Sequence, residues 1–234
     1  MLQRGYLLVH FFMRDLVRKH SRVGNPEFFR TDGFPWVSGL EADWLAIAKE
    51  LESVLGRVDE LPDFRTISPQ SGPLARLNAW KIFVLFGYGR KSLKNCRLCP
   101  RTAAALESIP GMKTAFFSIL APGATISPHQ GPYAGVLRCH LALKVPTEAG
   151  KCRIKVGDST RSWEAGKCLV FDDTFMHDVA NGTDEARIVL FIDFKRPLPF
   201  FVDLLNEVML KLISRVSLMD EYRNQVDWEK AFHR

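Results

Sequence analysis

The segment ARIVLFIDF, Ala186–Phe194, constrains the fold more than any other stretch of the chain. Read as a strand, it puts Arg187, Val189, Phe191 and Asp193 on one side and Ile188, Leu190, Ile192 and Phe194 on the other, because side chains alternate across a strand. Both sides are largely apolar, so the strand belongs in the middle of a sheet covered on both faces. An arginine at the mouth of such a strand calls for a buried anionic partner.

Runs of the same kind precede it. Ala115–Leu120, Gly135–Val145, Cys152–Val156 and Lys167–Phe171 are apolar or alternating, and the turn signals Pro122-Gly123, Gly157-Asp158, Ala165-Gly166 and Asn181-Gly182 separate them. Ahead of them the period is helical. Residues 38–55, SGLEADWLAIAKELESVL, carry Leu40, Trp44, Ile47, Leu51 and Val54 at helical spacing, with Ser38 and Glu41 set as a capping box and Gly56 as the stop. A second short helix covers RTAAALESI before Pro110-Gly111. Near the end, FFVDLLNEVMLKLISRV puts Phe201, Leu204, Leu205, Val208, Leu212 and Val216 on one helical face. Helices followed by several short strands define an α+β chain with an antiparallel sandwich or jelly roll as its body. The expected organisation is a basic helical extension over 1–36, a main domain over 37–198 and a helical extension over 199–234.

With 234 residues, 47% of them hydrophobic, the chain can bury one large core. Its net charge of +6 is concentrated in residues 1–30, which hold six Lys/Arg against Asp15 and Glu27. A basic end can touch an anionic membrane or nucleic acid, but a solvated helix carries the same pattern. No nucleic-acid motif accompanies it, so nucleic acid is not an expected partner. The run GYLLVHFFM is interrupted by His10 and falls short of the about 20 apolar residues that a membrane span needs; it is also a poor signal peptide. Five cysteines, an odd number without disulfide spacing, favour a reducing compartment, and Cys96 and Cys99 form one CxxC with no second pair to hold zinc. The expected location is cytoplasmic, with peripheral membrane contact or homodimerisation through the terminal helices as a further expectation.

The polar residues that interrupt the strands carry the chemistry. Arg138 and His140 share the face of GVLRCHLALKV opposite Leu137, Cys139, Leu141, Leu143 and Val145. Such a pair suits an anion, although a solvated strand face has the same pattern. His10, His20 and His233 fall in helical or terminal segments. His129 and His177 sit at loops or strand ends beside the sheet, and Arg187 follows ten residues after the second. The His-x-Gly of residues 129–131 is a weak signal alone. His129, His177 and Arg187 in this order match the arrangement of iron- and 2-oxoglutarate-dependent oxygenases, in which two imidazoles hold Fe(II) and a basic residue anchors the far carboxylate of the co-substrate.

Longer stretches are more specific. PEFFRTDGFPW, WKIFVLFGYGR, CPRTAAALESIPG, HQGPYAGVLRCHLAL and FDDTFMHDVANGTDEARIVLFIDFKRP together resemble the aspartyl/asparaginyl β-hydroxylase family of 2-oxoglutarate oxygenases, over most of the chain. The resemblance implies a double-stranded β-helix core that uses Fe(II), 2-oxoglutarate and O2. It implies His129 and His177 as catalytic iron ligands and Arg187 as the partner of the distal carboxylate of 2-oxoglutarate, with Ser118 beside it. Arg138 and His140 would lie around the co-substrate's metal-bound end and the substrate. Asp172, Asp173 and Asp178 flank His177 and are candidates for orienting the histidines. The implied reaction is hydroxylation of an unactivated carbon, coupled to conversion of 2-oxoglutarate to succinate and CO2.

Two positions bear on the substrate. The family's protein hydroxylases carry an arginine where Val136 stands, and that arginine helps hold an acidic side chain. The family's bacterial branch, which PYAGVLR resembles, includes hydroxylases of the lipid A acyl chain, and these keep an acid where Gly131 stands. Members with His-x-Gly also occur. Gly131 leaves a metal position that water can fill, and it lets the backbone pass close to the metal. A halide there would give halogenation; the family likeness points to hydroxylation. The first expectation is the β-carbon of an Asp or Asn residue in a peptide, protein or small molecule. The second is an acyl chain at a membrane. A non-catalytic jelly-roll binding module is the reading of another class.

Overall fold

Strand β11 (Arg187–Lys195) lies inside a sheet, between β4 (Met112–Leu120) and β6 (Val136–Lys144), as its two apolar sides require. The computed structural model describes residues 2–64 and 74–214, with side chains from residue 11 onward except at 149. The large sheet runs in the order β1 (Phe28–Phe29), β9 (Cys168–Phe171), β6, β11, β4, β2 (Trp80–Gly87) and β3 (Arg90–Lys91). A smaller sheet runs β5 (Thr125–His129), β10 (His177–Asn181), β7 (Cys152–Val156) and β8 (Ser159–Arg161). Neighbouring strands are antiparallel throughout.

The two faces of β11 enter different cores. Ile188, Leu190, Ile192 and Phe194 pack under a layer of helices, together with Leu137, Cys139 and Leu141 of β6. That layer is α2 (Trp36–Ala42), α3 (Trp44–Leu55), α4 (Leu93–Leu98) and α5 (Pro100–Glu107). Val189 and Phe191 face the small sheet, where they meet Ile126, Ile154, Val156 and Val179. The architecture is an α+β jelly roll with helices on one side of its large sheet. Each fully buried Leu, Ile or Phe in these layers contributes about 1.5–3 kcal/mol, so the two cores hold the sheets at a fixed separation.

A third cluster joins the ends of the described chain. Met13 and Val17 of α1 (Leu2–Lys19) pack with Met209 and Ile213 of α6, whose described part covers 200–214, and both helices rest on Tyr133 and Ala134. Val216 and His233 lie outside the described residues.

The helix expected over 38–55 is two helices. α2 starts at Trp36, just after Pro35, so Ser38 lies inside the helix and donates to Pro35 O (3.0 Å) instead of capping. Glu41 is drawn to the sheet edge, where it accepts from the Cys168 backbone N–H (2.9 Å) and from Lys167 Nζ (3.2 Å). At Asp43, φ −85° and ψ 0° interrupt the ladder before α3. Gly56 closes α3 as expected. The expected strands at 115–120, 135–145, 152–156, 167–171 and 187–194 all form, within a few residues at their ends.

Candidate active site

His129 ends β5 and His177 begins β10, and the two residues are direct partners in the antiparallel register. Pairing puts their side chains on one face of the small sheet, with ring centroids 4.1 Å apart. Each ring is fixed by a local hydrogen bond. His129 Nδ1 lies 2.8 Å from Ser127 O and His177 Nδ1 lies 3.0 Å from Phe175 O. A carbonyl oxygen only accepts, so both Nδ1 atoms carry the proton and both Nε2 lone pairs are left for a ligand. Burial depresses both pKa values, with the nearby Arg138 adding to the effect. For His177, burial and the second imidazole push the value down to about 3. Both rings are therefore neutral at pH 7, the form that binds a metal.

Across the cavity, Arg187 opens β11 and is 1% exposed. A buried polar turn sets its position. Asn181 Nδ2 donates to Ala121 O (3.0 Å) and Glu185 O (2.8 Å), and Thr183 Oγ1 donates to Asn181 Oδ1 (2.7 Å). The guanidinium lies 4.6 Å from the Trp163 ring and 3.5 Å from Ser118 Oγ, which also accepts from Trp80 Nε1 (2.9 Å). The sequence called for an anionic partner, yet among the described residues no carboxylate pairs with Arg187, and its Nε has no partner. Burial lowers its pKa to about 10, still charged at neutral pH. A stacked ring contributes about 0.5–2 kcal/mol, well short of the several kcal/mol that burying an ion costs.

His140, on β6, is buried with both ring nitrogens unpartnered, between Phe171 and Phe191. Burial and the charges of Arg187 and Arg138 hold its pKa well below the ordinary histidine value. Arg138 lines the same cavity but has partners. It reaches Asp193 at 2.8 and 3.2 Å and Asp173 at 2.9 Å. Burial opposes its charge, and the two carboxylates more than offset that, raising its pKa. The cavity is open to solvent, spanning about 320 Å3 when the solvent at its mouth is counted, and Ile126, Ile154, Phe171, Val179 and Phe191 give it apolar walls.

The three flanking acids do other work than orienting the histidines through their carboxylates. Asp172 is tied to Arg196 (2.5 Å), and Asp178 lies 3.7 Å from Arg153. Asp173 answers the question of the glycine. A Cβ at Gly131 would collide with the Asp173 carboxylate, and the Gly131 N–H donates to Asp173 O (2.7 Å). The acid absent from position 131 is thus replaced in space by one from the segment before His177. Among the described residues no group of three or more His, Cys, Asp or Glu is arranged to hold a metal. Trp80 and Trp163 also build the site, and nothing in their local sequence marks them for it. Cys96 and Cys99 are buried in the helix-covered core rather than in the lining of this cavity, and Cys96 Sγ donates to Leu85 O (3.3 Å).

The donor set fits a divalent iron with a dianionic chelate. Two neutral imidazoles offer Nε2, and the orphaned polar atoms of Arg187 and His140 line the space beyond them. A jelly roll with this interior defines a class, the 2-oxoglutarate-type hydroxylases.

Comparison with known proteins supplies the rest. The aspartyl/asparaginyl beta-hydroxylase family model matches residues 41–197, and the chain belongs to that family. It is 40% identical to the ornithine lipid ester-linked acyl 2-hydroxylase of Rhizobium tropici, over 99% of this chain and 85% of that protein. It is 34% identical to the aspartyl/asparaginyl beta-hydroxylase of Mus musculus, over 69% of this chain but 22% of that much longer protein. A looser likeness, at 17% identity and a TM-score of 0.41, joins it to a Pseudomonas putida prolyl-4-hydroxylase, over 80% of this chain and 98% of the other. The chain is an enzyme of the hydroxylase class, and the family implies Fe(II) and 2-oxoglutarate.

Proposed function

We propose that the protein is an Fe(II)- and 2-oxoglutarate-dependent hydroxylase of a lipid acyl chain, acting near the ester-linked carbonyl. What carries this reading is the likeness to the ornithine lipid acyl 2-hydroxylase along nearly the whole of both chains, against a partial match to the Asp/Asn hydroxylases. The substrate placed first by sequence, an Asp or Asn residue, therefore gives way to the acyl chain placed second. The cavity agrees on chemical grounds. An acidic substrate side chain needs a cation, yet Val136 is apolar and Arg138 is already engaged by two carboxylates. The apolar walls suit a methylene chain better than a charged side chain.

His129 and His177 would hold the metal through Nε2, with Nδ1 of each locked to a backbone carbonyl. Bound iron, with 2-oxoglutarate and O2, supplies the oxidising power that an unactivated C–H bond requires. Arg187 and Ser118 would receive the distal carboxylate of 2-oxoglutarate, with Trp163 flanking the guanidinium. His140, neutral and with two unmatched nitrogens, would meet the other end of the co-substrate beside Arg138. Phe171, Phe191, Ile154 and Val179 exclude water around these groups, which strengthens each polar contact inside.

The test is succinate formation by purified protein with Fe(II), ascorbate and 2-oxoglutarate, in the presence of ornithine lipid or of an Asp/Asn-containing peptide, followed by mass spectrometry of both. The expected result is succinate matched by a +16 Da product on the acyl chain, lost in His129→Ala and His177→Ala. A +16 Da product confined to the peptide overturns the substrate assignment.

A further inference from the structure

Two helices bear an apolar surface that the fold leaves open. α6 buries Asn206, Met209 and Ile213 toward the body, and Asn206 Nδ2 donates to Gly135 O (2.9 Å). Its other side carries Phe201, Leu204, Leu205, Val208 and Leu212, all exposed, at the spacing of a single helical stripe. Phe200 and Phe201 are 73% and 78% exposed at its start. α1 adds Phe11 and Phe12, both exposed. Scattered exposed apolar residues need no explanation, but a contiguous stripe of this kind does.

Charge identifies the occupant. The two acids of α6, Asp203 and Glu207, are turned away from the stripe into ion pairs with Lys195 (2.7 Å) and Lys113 (2.9 Å). Asp15 of α1 is taken up by Arg14 at 3.0 Å. Lys211 stays exposed beside the stripe, and Lys19 and Arg22 are exposed at the end of α1. An apolar stripe with an exposed lysine on its own helix, paired acids and further exposed cations at the end of the neighbouring helix matches the interfacial zone of an anionic bilayer. A second copy of the chain meeting this face in a symmetric dimer would bring like charges together. Among the described residues no helix is long and apolar enough to cross a membrane, so contact would lie in the plane of the surface.

The platform is also built onto the candidate active site. Tyr133 and Ala134, four and five residues after His129, lie in its core. Arg18 of α1 donates to Thr174 Oγ1 (2.7 Å) and lies 5.4 Å from the Phe175 ring, just before His177. Met176, between Phe175 and His177, is half exposed. Both histidine-bearing segments are therefore braced by the helices that carry the apolar face.

We infer that α1 and α6 form a docking surface for an anionic lipid bilayer, through which an acyl chain reaches the cavity without leaving the membrane interface. The delivery step rests on the acyl-chain reading; the docking surface does not. The test is flotation of the full chain with vesicles of phosphatidylglycerol or of phosphatidylcholine, without substrate or iron. The wild type should float with the anionic vesicles and be released by high salt. Phe201→Asp/Leu205→Asp should reduce that partition about tenfold or more, since burying each side chain is worth over 1.4 kcal/mol. The same variant should keep the wild-type melting temperature and 2-oxoglutarate affinity with Mn(II), which separates lost docking from lost fold. A protein that floats but hydroxylates only a peptide upholds the surface and overturns the acyl-chain reading. Absence of flotation, equal flotation of the variant, or a stable dimer that masks the face overturns the surface.

Discussion

Two arginines nine residues apart, at the two ends of β11, are buried to the same degree and treated in opposite ways. Arg196, fully buried just past the strand, has a full set of partners. It meets Asp172 at 2.5 Å, Ala134 O at 2.7 Å and Gly24 O at 3.1 Å, so it ties the segment before His177 to the segment after His129 and to the end of α1. Arg187, at the head of the strand, has an aromatic ring and one distant hydroxyl. A buried cation whose counter-charge comes from its own chain is a structural joint. A buried cation without one holds its place for an anion from outside. The sequence could not tell these apart, because pairing depends on which distant carboxylate the fold delivers.

Substitutions sharpen the contrast, and the largest effect belongs to the joint. Arg196→Met leaves Asp172 buried without its main partner. Denaturant unfolding should register a loss of about 3–5 kcal/mol, the typical cost of removing one member of a buried pair. Stability within about 1 kcal/mol of wild type would mean that Arg18, 3.9 Å from Asp172, takes over the role. Gly131→Asp comes next. It sets a second carboxylate against that of Asp173 and should cost about 1–3 kcal/mol through overpacking, with added charge repulsion. Adding Asp173→Gly to it should recover most of the loss. If Gly131→Asp alone is neutral by calorimetry, Asp173 is not the group that fills this space. Ser118→Ala should have the smallest effect. It removes one hydroxyl beside the guanidinium and should weaken 2-oxoglutarate binding about three- to tenfold by titration calorimetry, in line with one hydrogen bond.

Much of the fold was legible because it rests on periodicity. The apolar runs at 115–120, 135–145 and 187–194 declare themselves as strands, and strands form there with ends shifted by up to three residues, Ile188, Leu190, Ile192 and Phe194 lying on the helix-covered side. The six residues singled out as site candidates, His129, His177, Arg187, Ser118, Arg138 and His140, all line one cavity, because each stands on a strand or strand end that the period-2 pattern had placed. Three things were hidden. The break at Asp43 comes from tertiary pull, because Glu41 satisfies the edge of β9 rather than its own helix. The occupant of the space beside Gly131 arrives from the turn between β9 and β10, 42 positions on, which no local pattern reports. The engagement of Arg138 by Asp173 and Asp193 turns an apparent anion receptor into a group already paired, and the two carboxylates come from distant segments that no local pattern reports.

The central claim is that the unmatched charge of Arg187 is the seat of a dicarboxylate. Titration calorimetry of 2-oxoglutarate into the Mn(II)-loaded wild type and Arg187→Met, with melting of both proteins before ligand is added, tests it most directly. The substitution removes a buried ion that has no internal partner, so the ligand-free variant should melt no lower than wild type. Its affinity for 2-oxoglutarate should fall by about 30-fold or more, the usual consequence of deleting one side of a buried charged contact. Equal affinity, or a variant that unfolds more readily than wild type without ligand, would contradict the account.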